Sequence, residues 1–177
     1  MPQYPTKNSA LASGSYHVEC RDSTGALKWE LTTPNLVVNT GICYLCGAGL
    51  TGTTPISAWY LGLYGAAATN NPAAGDTSAS HPGWVEITPY ADATRPICVF
   101  SAATLANPSV ATNTASKALI LISTAATVGG AFLSSDSTKS GSSGILFSAA
   151  DFGSPGDRTV VAGDILSLTY TFSLTAT

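Results

Sequence analysis

Two short spacings in this chain hold metal-ligand residue types: His17-x-x-Cys20 and Cys43-x-x-Cys46. Imidazole and thiolate together are what tetrahedral zinc takes. The elements they fall on argue against a shared ion. Residues 16–21 read as a strand, where side chains an odd number apart leave by opposite faces, so His17 and Cys20 diverge. Cys43 and Cys46 share a helix face, but small thiols at i and i+3 fit core packing. No βαβ pattern surrounds them, as a redox Cys-x-x-Cys would require. With Cys98, they are expected to be four free thiols, and no metal or cofactor is expected.

Hydrolytic chemistry finds little purchase. His81 lies in Ser80-His81-Pro82-Gly83-Trp84 and reads as a loop residue packing near Trp84, and no Gly-x-Ser-x-Gly elbow presents a nucleophile. Glu86, Asp92, Asp151 and Asp164 could supply the paired carboxylates of glycoside chemistry, but nothing in the sequence pairs them. Asp76, Asp157 and Asp164 adjoin glycines and read as turn formers. The EF-hand, P-loop and dinucleotide spacings are absent. The chain is therefore expected not to be an enzyme. Trp59, Tyr60, Tyr64, Trp84 and Tyr90 could stack on sugars, although Trp59 and Trp84 read better as core anchors with the tyrosines at sheet rims.

The elements that would position these residues are mostly strands. Residues 16–21 and 26–31 form a hairpin around the turn Asp22-Ser23-Thr24-Gly25, where Gly25 supplies positive φ. Residues 36–38 are a short β-branched run. Residues 41–50 predict the one helix, with Asn39-Thr40-Gly41 as its start signal. Further strands are expected at 57–64, 84–87, 95–101, 117–123 and 127–135, and from residue 144. In residues 164–174, Leu166, Leu168, Tyr170, Phe172 and Leu174 alternate with polar residues, which is the period of a half-buried strand. All five are expected to face one buried layer. Eight or more short strands and one helix predict an all-β fold, a β-sandwich or jelly-roll-like body with an N-terminal hairpin. The expected organisation is a polar arm over residues 1–13 and a single β-sandwich domain over 14–177. The arm is too short and uneven to fold by itself, so its removal is expected to leave the body's stability nearly unchanged. The loop over residues 65–80 is longer than most connections and is expected at a surface or a contact.

Composition narrows the function. Charged residues make up 10% of the 177 residues, against about 25% in an ordinary soluble domain, and none lies between Glu30 and Asp76. The net charge is −3, and the seven Lys and Arg never cluster. A nucleic-acid surface needs a basic stripe, so direct nucleic-acid contact is not expected. No apolar run reaches membrane-span length. The opening Met-Pro-Gln-Tyr-Pro lacks the basic start and apolar run of a signal peptide, so a reducing cytoplasm is expected until assembly. An uncharged, Ser/Thr/Asn-rich surface suits a structural part held against other protein better than a free monomer.

Several segments carry a resemblance. Leu27-Lys28-Trp29-Glu30 and Pro34-Asn35-Leu36-Val37-Val38-Asn39-Thr40-Gly41 are similar to the opening of small structural proteins of tailed bacteriophages. So are Trp59-Tyr60-Leu61-Gly62-Leu63, Gly75-Asp76-Thr77-Ser78-Ala79-Ser80-His81-Pro82-Gly83-Trp84, and Tyr90 with Arg95-Pro96. Gly130-Ala131-Phe132-Leu133, Ser135-Asp136-Ser137-Thr138-Lys139 and Gly163-Asp164-Ile165-Leu166-Ser167-Leu168-Thr169-Tyr170 extend the pattern to the C-terminal strand. Cys43-Tyr44-Leu45-Cys46 departs from it, since a more polar, amphipathic helix is expected there. The resemblance implies a capsid decoration (cement) protein made in the host bacterial cytoplasm and carried on the virion's capsid surface. Its implied partners are the major capsid protein and copies of itself. The alternatives are a tail, collar or head-fibre component, or a surface carbohydrate-binding module. The family brings no catalytic residues. Contacts with neighbouring subunits are expected from the arm (Pro2, Tyr4, Pro5, Lys7) and the long loop (Asn70, Asn71, Pro72, Asp76).

Overall fold

The computed structural model describes residues 9–65, 71–153 and 156–177. In chain order its elements are β1 (Ala10–Arg21), β2 (Leu27–Pro34), β3 (Leu36–Val37), α1 (Asn39–Leu50), β4 (Trp59–Gly65), β5 (Val85–Glu86) and β6 (Ile97–Cys98). There follow β7 (Ser109–Thr112), β8 (Ala118–Leu121), β9 (Ala126–Val128), β10 (Gly130–Ser134), β11 (Leu146–Asp151), β12 (Arg158–Val160) and β13 (Ile165–Ala176). The first sheet runs β2-β1-β13-β7, with β8 also on β13. The second runs β3-β11-β10-β4-β5, with β6 also on β4. β9 and β12 pair separately. This is the predicted all-β sandwich with an N-terminal hairpin and one short helix.

The hairpin forms where turn chemistry demands it. Asp22 Oδ1 accepts from the Thr24 and Ala26 backbone N–H groups, and Gly25 takes φ +88°. Even positions of β1 (Tyr16, Val18, Cys20) and of β13 (Leu166, Leu168, Tyr170) turn inward. They meet Leu61, Leu63, Ala131, Leu133 and Phe147 of the second sheet in one core. Tyr16 crosses that core, its hydroxyl reaching Ser148 Oγ at 2.8 Å. A bulge between Leu133 and Ser134 of β10, against β11, lets both Phe147 and Ser148 serve this layer while Leu146 turns to the other.

The second sheet is buried on both faces. On the face away from the first sheet, Tyr64, Phe132, Leu146 and Ala149 join Val38 and Trp84 in a second cluster. A strand covered on both sides loses polar alternation. β10 is buried along its whole length, and Gly62 leaves room for the Phe132 ring, where a Cβ would lie 2.2 Å away.

Four expectations are corrected. The first strand starts at Ala10, not at residue 16, and its pairs with β13 run from Ala10↔Ala176 through Ser13↔Ser173. Residues 9–13 therefore belong to the sandwich and not to a separable arm. The inward pattern of β13 ends early: Leu174 is 40% exposed because β1 and β13 outrun the opposing sheet. The region 127–135 is two strands, β9 and β10, rather than one. α1 begins at Asn39 after Val38, whose side chain makes no capping hydrogen bond. β7 and β12 carry no strong apolar period and went unpredicted.

Candidate interaction surface

α1 is seated by small residues and hydrogen bonds. A Cβ on Gly41 would stand 2.3 Å from the Phe147 carbonyl oxygen, so only glycine lets the helix lie this close to β11. Thr40 Oγ1 donates to the Leu146 carbonyl (2.5 Å), and Tyr44 Oη accepts from the Ile56 N–H (2.9 Å). Tyr44 packs edge-on to Trp59 with centroids 5.3 Å apart. With Tyr44 and Leu45 turned to the core, the opposite face presents Ile42, Cys43, Cys46 and Leu50 to solvent; Leu50 is 85% exposed. The expected core packing of Cys43 and Cys46 is thus corrected, since both thiols are exposed and share one shallow groove with Thr40, Gly47, Thr53 and Ile145. Neither end of the helix carries a charge to meet its dipole.

Of the expected contact residues, Pro2, Tyr4, Pro5, Lys7 and Asn70 lie outside the described residues. Asn71 is exposed and Pro72 half-buried. Asp76 is corrected: it is 4% exposed, and its Oδ2 accepts from the Ala73 N–H (3.0 Å) and from Trp84 Nε1 (2.9 Å). It is an internal anchor. The Asn39 N–H donates to the Ala74 carbonyl (2.8 Å), which ties this loop to the start of α1.

Asp76 is the first part of a larger clasp. Trp84 stacks on His81 at 3.8 Å and packs beside Tyr64 and Phe132. His81 Nδ1 lies 2.9 Å from the Trp84 carbonyl, which can only accept, so Nδ1 carries the proton. Arg95 forms a two-pronged pair with Glu86 at 2.9 and 2.7 Å, both side chains almost fully buried. Its Nη1 also donates to the Asp136 carbonyl, and its guanidinium lies over Phe132. Lys139 donates to the Tyr90 carbonyl and sits 3.6 Å from the centre of that ring. Three stretches of the resemblance, around Asp76–Trp84, Arg95 and Asp136–Lys139, thus meet in space and hold the loop layer on the second sheet. A cavity of about 110 Å³ lies among Ser78, His81, Glu86, Arg95 and Ser140, and the buried Ser78 hydroxyl in its wall has no hydrogen-bond partner among the described residues.

The remaining chemical candidates disperse. His17 is on the outer face of the first sheet and Cys20 in the core, where burial pushes the thiol up to about 11. Burial pushes Cys98 up to about 12. Asp164 is held by Lys28 (2.5 Å) and the Val161 N–H, Asp151 accepts from Gly153, and Asp92 is exposed. Of the aromatic group, Tyr64, Trp84 and Tyr90 are buried and offer no open stacking face. Sequence reasoning missed the convergence of Glu86 with Arg95 and of Asp76 with Trp84, since neither pair has a motif spacing. It also missed a cross-strand group of His17, Glu19 and Glu30, which the hairpin register alone brings together.

Comparison with protein-family models, with curated proteins and with solved structures found no match.

Proposed function

We propose that this chain is a non-enzymatic structural protein of a tailed-bacteriophage virion, a decoration (cement) protein that binds and stabilises the head shell. The observation that carries the reading is the outward face of α1. Ile42 and Leu50 are exposed there, within a stretch from Leu31 to Gly75 that contains no charged side chain. Exposed apolar surface with a polar surround marks a protein contact. An uncharged face can be repeated around a shell without mutual repulsion, and many weak copies add through multivalency. The sequence resemblance to phage structural proteins supports the same reading. The implied partners are the major capsid protein and further copies of this chain.

The test is co-sedimentation of the purified protein with phage heads that lack it, followed by imaging of the decorated particles. Binding to the shell is expected, and Ile42→Asp with Leu50→Asp should weaken it at least tenfold without lowering the melting temperature. Density on the tail, collar or fibre would replace this reading with the tail-component alternative. Failure to bind particles, together with retention on a glycan array, would favour the carbohydrate-binding alternative.

A further inference from the structure

Beside α1 and between the two sheets lies an open apolar cleft of about 230 Å³. Half-buried Tyr44, Trp59, Phe100, Ala111 and Phe172 line it together with the buried Phe147. Phe100 and Ala111 also stand at the base of a loop, residues 101–108, that is exposed along its whole length. Leu105, in the middle of that loop, is fully exposed and so does not fill the cleft of its own chain. We propose that loop and cleft form a two-fold contact between two copies of this chain, with Leu105 of each copy seated in the aromatic cleft of the other. The contact gives the self-association implied by the virion reading a surface distinct from the outward side of α1, and rests on that reading only for where it is used.

Four features point to a second copy as the occupant. The loop is fixed before any contact is made. The Thr104 N–H donates to the Val110 carbonyl (3.0 Å), and Thr104 Oγ1 accepts from the Val110 N–H (2.8 Å). Asn107 engages both backbone groups of Ala176, donating from Nδ2 at 3.1 Å and accepting at Oδ1 at 2.9 Å. A leucine held out in this way loses little freedom on binding. The second feature is charge. No charged residue lies between Arg95 and Lys117, and none lines the cleft. Two such surfaces meet without repulsion and without stripping water from an ion, whereas a charged segment in the cleft would bury its charge unpaired. The third is size: an apolar cavity of about 150 Å³ takes a benzene ring, so this cleft has room for a leucine side chain. The fourth is closure. A two-fold contact needs both complementary parts in one patch of surface, and here the base of the loop is itself a wall of the cleft. Two loops lying side by side in opposite directions place each Leu105 at the other's base, which closes the pair.

The experiment is sedimentation equilibrium of the full chain under reducing conditions, carried up to about 1 mM because two leucine anchors make a small interface. A concentration-dependent dimer is expected. Leu105→Asp, at a fully exposed position, should weaken it at least tenfold with an unchanged melting temperature. Ala111→Trp, which fills the cleft, should do the same, and circular dichroism checks that this variant folds. An equimolar mixture of the two variants should associate more tightly than either one, since the intact leucine of one copy then meets the intact cleft of the other. Ile42→Asp with Leu50→Asp should leave the dimer in place. The proposal is overturned if the chain stays monomeric over the whole range, if Leu105→Asp dimerises like its parent, or if the mixture of folded variants gains nothing. A monomer in this experiment would leave binding of the shell through α1 standing, and loss of shell binding would leave the dimer standing.

Discussion

At the scale of single residues, burial divides the four cysteines into two kinds. Cys20 and Cys98 are buried and their thiols are pushed up to about 11 and about 12, so almost no thiolate forms near neutrality. Cys43 and Cys46 stand in solvent on α1. Iodoacetamide at pH 8 should therefore alkylate two thiols in the native protein and four in urea, with mass spectrometry placing the native pair at Cys43 and Cys46. Glu19 gives a second residue-level expectation. Its hydrogen bond from Lys117 holds the carboxyl below the usual glutamate range. A depressed folded value stabilises above the unfolded value, about pH 4.3. That contribution is lost as pH falls through the lower folded value. Glu19→Gln should cost about 0.5 kcal/mol at pH 7, as exposed pairs do, and nothing at pH 2, as read from urea unfolding at both pH values.

At the scale of elements, two attachments decide how the periphery is held. The loop layer depends on Arg95 and Glu86, which are almost fully buried and fully engaged with each other. Removing one member leaves the other charge buried without compensation. Arg95→Met should cost about 3–5 kcal/mol, and adding Glu86→Leu should recover part of it; urea midpoints of the two variants check the order. The N-terminal strand is the second attachment. Cross-strand pairs from Ala10↔Ala176 to Ser13↔Ser173, with Ser9 and Thr177 bonded reciprocally beyond them, hold the end of β13. Deleting residues 1–13 should lower the melting temperature by several degrees, because residues 10–13 leave the β1–β13 ladder with them; scanning calorimetry of the truncated and full chains checks it.

At the scale of the whole molecule, the second sheet is shared by two apolar layers. Leu61, Leu63, Ala131 and Leu133 face the first sheet, while Tyr64 and Phe132, on the same strands, face Trp84 and the loop layer. Neither layer can come apart while leaving the other's backbone frame intact. A single cooperative transition is expected. Tryptophan fluorescence from Trp29, Trp59 and Trp84 should coincide with far-UV circular dichroism through urea unfolding, and separated midpoints would show the loop layer to be an independent unit.

What the sequence determined was everything written in local periodicity or turn chemistry. The hairpin was legible because Asp22 and Gly25 can make that turn. The inward residues of β13 were legible because one face of the first sheet meets solvent, so polar and apolar residues alternate. The start signal Asn39-Thr40-Gly41 marked a helix in a chain of strands, and α1 begins at Asn39. Tertiary structure decided the rest. The second sheet is covered twice, so its strands carry no alternation, and the break between β9 and β10 was hidden. The outward turn of Cys43 and Cys46 followed from Gly41, whose lack of a side chain sets how α1 lies on β11. The clasp joins Asp76 to Trp84 and Glu86 to Arg95, pairs with no motif spacing, and Arg95 to the far more distant Asp136, while the His17, Glu19 and Glu30 group forms across the hairpin. Their proximity depends on strand register and on a loop folding back, neither of which a local pattern of residue types encodes.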